Sequence, residues 1–140
     1  MAALSAAKNV VERDHPLAMN DDRPLTNSTV YAGSMVVFNS SGHIAAASTA
    51  TGLIPAGIAT ETKTNSGSAG SVNVSIRQGV FKFENSSAGD AIAIAEIGDD
   101  CYIVDDQTVA KTNGGSTRSV AGKVIDVVSD GVFVLVGLAV

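Results

Sequence analysis

The residue types that do chemistry most readily are few in this chain and do not cluster. Its two histidines are His15, just before Pro16, and His43, just after Gly42, and neither has a sequence neighbour that would make it the base of a catalytic triad. A nucleophile needs such a base within hydrogen-bond reach. The chain has no G-x-S-x-G elbow, no H-E-x-x-H pair and no G-x-G-x-x-G turn. Gly122-Lys123 resembles the end of a phosphate loop, but Val124 stands where a magnesium-binding hydroxyl belongs and Thr117 where the first glycine belongs. Three acidic pairs, Asp21-Asp22, Asp99-Asp100 and Asp105-Asp106, offer hard oxygen ligands without the D-x-D-x-D-G spacing of a calcium loop, so turn formation and solubility explain them. Paired carboxylates in glycoside chemistry stand beside aromatic sugar platforms, and the aromatic content is only 4%. The single Cys101, in DCYIV, has no disulfide partner within the chain and reads as a small buried apolar residue. No catalytic residue, cofactor or metal is expected.

The elements around these residues are β-type. From about residue 29 onward, short runs of Val, Ile and Phe alternate with clusters of Gly, Ser, Asn, Thr and Asp, the pattern of an all-β sandwich or barrel. Strands are expected over residues 30–38, 43–47, 58–63, 100–104, 109–111 and 120–128. Residues 72–77 place their apolar side chains at even positions, whereas Phe81 and Phe83 are odd. The parity change implies either a β-bulge at Gly79 or a turn at 77–79. Residues 91–97 alternate Ile with Ala and read equally as a strand or a helical turn.

The closing stretch, residues 114–140, has two apolar runs joined at Ser129-Asp130-Gly131. Its second run places Val132, Val134, Val136, Leu138 and Val140 on one face, and Phe133, Leu135, Gly137 and Ala139 on the other. Both faces are apolar, so each must be covered by a second sheet, another subunit or a partner.

Residues 1–28 differ in kind from the single β domain expected over 29–140. They carry two of the three prolines and read as an N-terminal arm. Leu4, Ala7 and Val11 fall on one face at helical spacing, which allows a short amphipathic helix over 2–12, marginal by itself. His15-Pro16 and Arg23-Pro24 favour extended backbone beyond it. The net charge of −5, with nine scattered basic residues, argues against nucleic acid and against an anionic membrane surface. The N-terminus lacks the basic and long apolar regions of a secretory signal, so synthesis in a cytoplasm is expected. The longest apolar run, 132–140, is too short for a membrane helix, and the scarcity of aromatics argues against a membrane barrel.

The succession PAGIATET, SAGSVNVSIRQGVFKF, GDDCYIVDDQTVAK and GGSTRSVAGKVIDVVSDGVFVLV, within residues 52–138, resembles the capsid decoration (cement) proteins of tailed bacteriophages. The resemblance implies a jelly-roll-like β-sandwich or small barrel on the outer surface of an assembled virion head, present as a homodimer or homotrimer. There it would bridge neighbouring subunits of the major capsid protein, without enzyme activity. On that reading the arm supplies Leu4, Val10, Val11, Leu17 and Met19 as apolar capsid anchors and Arg13 and Arg23 as charged contacts. Phe133 and Leu135 would then meet another subunit. The alternative is a surface or secreted β-sandwich module that binds a glycan or polymer.

Overall fold

The structure, a computed structural model, describes residues 2–138, so Ala139 and Val140 of the closing run lie outside the described residues. The strands in chain order are β1 (Glu12–Arg13), β2 (Met19–Pro24), β3 (Thr29–Val30), β4 (Met35–Phe38), β5 (Ile44–Ala46), β6 (Ile54–Ala59), β7 (Lys63–Thr64), β8 (Asn73–Asn85), β9 (Asp100–Ile103), β10 (Thr108–Ala110), β11 (Val120–Val128) and β12 (Gly131–Val136). The all-β expectation holds, and its small-barrel form is the one adopted. Strands follow the order β10-β9-β11-β12-β8, and β10 then pairs in parallel with β8 through Thr108↔Glu84 and Val109↔Asn85, closing a five-stranded barrel. From β8 the sheet continues outward through β6 and β4 to β5, while β3 and β7 form a separate ribbon.

Two cores result. The larger fills the barrel and the space against β4 with Phe81, Phe83, Val132, Val134, Val136, Val124, Cys101 and Ile103, and receives Met35 and Val37. The second gathers Leu25, Val30, Val36, Ile44, Ala56, Val74 and Ile76. Adjacent residues of β4 thus enter different cores, as the alternation of a strand requires when both its faces are covered.

The same geometry corrects the reading of Gly79. There is neither a turn nor a bulge: β8 runs unbroken for 13 residues. Its backbone alternation passes straight through Gly79. Ser75 O accepts from Thr60 N on the β6 edge, while Lys82 N and Glu84 N donate to Val11 O and Gln107 O on the opposite edge. Val74 and Ile76 therefore project from the even face into the second core, and Phe81 and Phe83 from the odd face into the barrel. The apolar parity switches because the buried face changes, not because the strand slips. Bulges do occur elsewhere, as register shifts between Val36 and Val37 in the β4–β6 pairing and on both edges of β11.

The ambiguous stretch 91–97 holds a 3-10 turn, Ile94–Glu96, with a second at Ala88–Asp90. Asn85 fastens it to the barrel: its Oδ1 accepts from Ile92 N and its Nδ2 donates to Ile92 O, both at 2.8 Å, which buries Ile92. The short helix allowed over 2–12 does not form. Residues 2–11 contain no helix, and β1 follows at Glu12. Lys8 N donates to Ala32 O at 2.8 Å, and Val10 packs on the barrel core. The backbone groups a helix would have paired internally bond to the β domain instead.

Candidate contact surface on the N-terminal arm

β1 and β2 lie along one edge of β8, both antiparallel to it. Arg13 pairs with Val80, and Met19 with Gln78. Residues 14–18 therefore span a single β8 position, Gly79, and must loop outward. The loop is closed by its histidine: Leu17 N donates to His15 Nδ1 at 3.1 Å, and Ala18 N to His15 O at 3.0 Å. Gly79 adopts φ +152°, a conformation that L side chains rarely adopt, while a Cβ there would meet Ala18 only at ordinary contact distance. Its glycine serves the backbone twist under the loop rather than the space.

This path sorts the expected arm residues into two groups. Val11 (51% exposed), Leu17 (46%) and Met19 (48%) present apolar side chains to solvent along and beside the protruding loop. Leu4 and Val10 turn to their own domain: Leu4 is half-buried with its N–H on Asp106 Oδ1 at 2.8 Å, and Val10 is partly buried. The two arginines are also engaged within the chain. Arg13 donates to Asp126 Oδ2 at 3.0 Å and lies 3.9 Å from the centre of the Phe133 ring. Arg23 bonds Asp21 at 2.7 Å and stands 5.4 Å from the Phe38 ring centre. The outer ring of Phe133, expected to face another subunit, is thus covered by its own arm and only 7% exposed, while Leu135 is half-buried.

Electrostatics follow from these contacts. The hydrogen bond from Arg13 holds the Asp126 carboxyl below its ordinary value, and the one from Lys82 does the same for Asp130. Burial raises Asp106 despite the Leu4 N–H, and burial pushes the Cys101 thiol up to about 12, which fits an inert core residue. Among the described residues no group of three or more His, Cys, Asp or Glu is placed to hold a metal ion.

Two grooves escaped the sequence reading. One, of about 580 Å³, is polar and lined by Asn20, Asp21, Asp22, Thr60, Ser75 and Ile76. Beside it Ser75 donates from Oγ to Asp22 at 2.8 Å and from N to Glu61 at 2.9 Å, and the latter bond lowers the Glu61 carboxyl. The other, of about 460 Å³, holds Phe38 with Ile54 and Leu138, each of the last two 51% exposed. Each draws on distant segments brought together by the sheet, and no local spacing announces it. No protein-family model matches the chain, and neither does any curated protein or solved structure.

Proposed function

We propose that this is a structural virion protein that binds the outer surface of an assembled phage head and clamps neighbouring major capsid subunits. The observation that carries this reading is the arm. Within nine residues it presents Val11, Leu17 and Met19, each about half exposed, on a loop-bearing edge backed by the long strand β8. The resemblance of residues 52–138 to cement proteins adds to it. Burying such side chains against several capsid subunits at once would favour the assembled shell over its parts. Arg13 and Arg23, already paired within the chain, are better assigned to holding the arm than to the capsid.

The test uses heads stripped of surface proteins. The triple variant Val11→Asp, Leu17→Asp, Met19→Asp should lose at least about tenfold in head affinity, from burial of about 1.5–3 kcal/mol per large apolar side chain. Circular dichroism should show an unchanged fold. Binding as tight as wild type would reject the arm as the contact. Point changes are preferable to removing residues 2–24, which would also strip β2 from six positions of β8.

The glycan-binding alternative would use the polar groove, whose lining offers amide, carboxylate and hydroxyl groups with no aromatic platform. Binding of a polysaccharide by the free protein, lost on Asp22→Ala, would favour it over the capsid reading.

A further inference from the structure

We propose that residues 2–13 are a releasable strap, fastened chiefly by ion pairs, that covers one edge of β8 and the outer face of Phe133 and lifts when those pairs are screened. Three pairs tie it down. Lys8 meets Glu84 at 3.2 Å, Glu12 meets Arg77 at 2.9 Å, and Arg13 meets Asp126 at 3.0 Å. All six side chains are between 29% and 47% exposed, so salt reaches every pair. Apolar anchoring is limited to Leu4 and Val10, both only partly buried, while Val11 is 51% exposed. A groove of about 250 Å³ lies where the strap meets the barrel, lined by Lys8, Val10 and Val11 from the strap and by Lys82, Glu84 and Asp130 from the body.

Regular pairing is confined to the two residues of β1, supplemented by Lys82 N to Val11 O at 3.0 Å and Lys8 N to Ala32 O at 2.8 Å. The far end is pinned by Leu4 N to Asp106 and by Gln107 Nε2 to Ala2 O. Segments with few buried apolar contacts and exposed hydrogen bonds open at a fraction of the global stability. β2, paired over six residues, stays in place, so residues 14–18 act as the hinge. Opening frees the β8 backbone between β2 and β10 and exposes the Phe133 ring. The strap is thus a self-cover for the one stretch of that edge not held by a regular strand of the body.

Amide hydrogen exchange on the full chain reads this directly. Lys82 N–H donates to the strap, whereas Glu84 N–H, two residues on, donates to Gln107 O, and Ile103 N–H donates to Ser119 O. Raising NaCl from about 20 mM to about 1 M should speed exchange at Lys82 about tenfold relative to Glu84 and Ile103. Arg13→Ala should act in the same direction at low salt, and so should Asp126→Asn, which breaks the pair from the body side; each removes one pair of three, so the increase should be about two- to fivefold. If Lys82 keeps pace with Glu84 and Ile103 at both salt concentrations and in both variants, the strap does not open separately and the proposal fails.

Discussion

The two halves of β8 differ less in sequence than in what they face. Residues 73–78 bury their even side chains, Val74 and Ile76, in the second core, and lie between β2 and β6. Residues 79–85 bury their odd side chains, Phe81 and Phe83, in the barrel, and lie between β12 and the pair β1 and β10. One uninterrupted strand serves two cores on opposite sides of a sheet. An apolar pattern that shifts parity therefore reports a change of burial as readily as a change of backbone.

Emptying each half of the strand in turn tests whether the two cores are independent. Phe81→Ala should cost about 3–5 kcal/mol and Ile76→Ala about 2–5 kcal/mol in urea denaturation. The side chains lie five residues apart, about 17 Å along a strand, so the two losses should add to within about 0.5 kcal/mol. A coupling above about 1 kcal/mol would show that the cores act as one.

A smaller effect is expected where the halves join. Gly79→Ala should cost about 1–3 kcal/mol, because its φ of +152° is strained for a residue with a Cβ. An unchanged denaturation midpoint would mean that the strand relaxes at this point and that the twist is not fixed there.

The smallest effects concern the two carboxylates that receive the arm, and they have opposite signs. Asp126, lowered by Arg13, contributes stability that is present above the unfolded carboxylate value of about 3.9 and is lost as pH falls through its lower folded value. Asp106, raised by burial, binds its proton more tightly in the folded state, so its contribution falls as pH rises from the unfolded value through the folded one. Melting temperature followed from about pH 2 to 7 should therefore lose acid sensitivity in Asp126→Asn. In Asp106→Asn, which keeps an oxygen for Leu4 N–H, it should gain most at neutral pH. Matching curves for the two variants would contradict these opposed environments.

Much of the fold was legible because its signals are local. β11 occupies the expected 120–128, and the hairpin reverses at Ser129-Asp130 between the paired Val128 and Gly131. Cys101 is fully buried, as its apolar neighbours suggested. What failed depends on partners distant in sequence. The helical spacing of Leu4, Ala7 and Val11 gave way to bonds with Ala32, Lys82 and Asp106, none of which a window around residue 8 contains. Arg13 read as an outward contact because Asp126 is brought in by another strand, whereas the partner of Arg23, Asp21, stands only two residues away and was overlooked in favour of an external acid. Asp106 read as a surface turn residue, yet it is 2% exposed because the arm's tip closes over that turn. Of the arm residues chosen for contact, Val11, Leu17 and Met19 keep the exposure that role requires.

The division of β8 also sets an order on synthesis. Every residue of the second core lies between Leu25 and Ile76, so its full complement is present once the first half of β8 has left the ribosome. The barrel cannot close until Val136 emerges, 60 residues later, and until then Phe81 and Phe83 lack the β12 strand that pairs beside them. The emerging chain thus holds every residue of the second core while Phe81 and Phe83 still await β12, and the β11–β12 hairpin is what shields them.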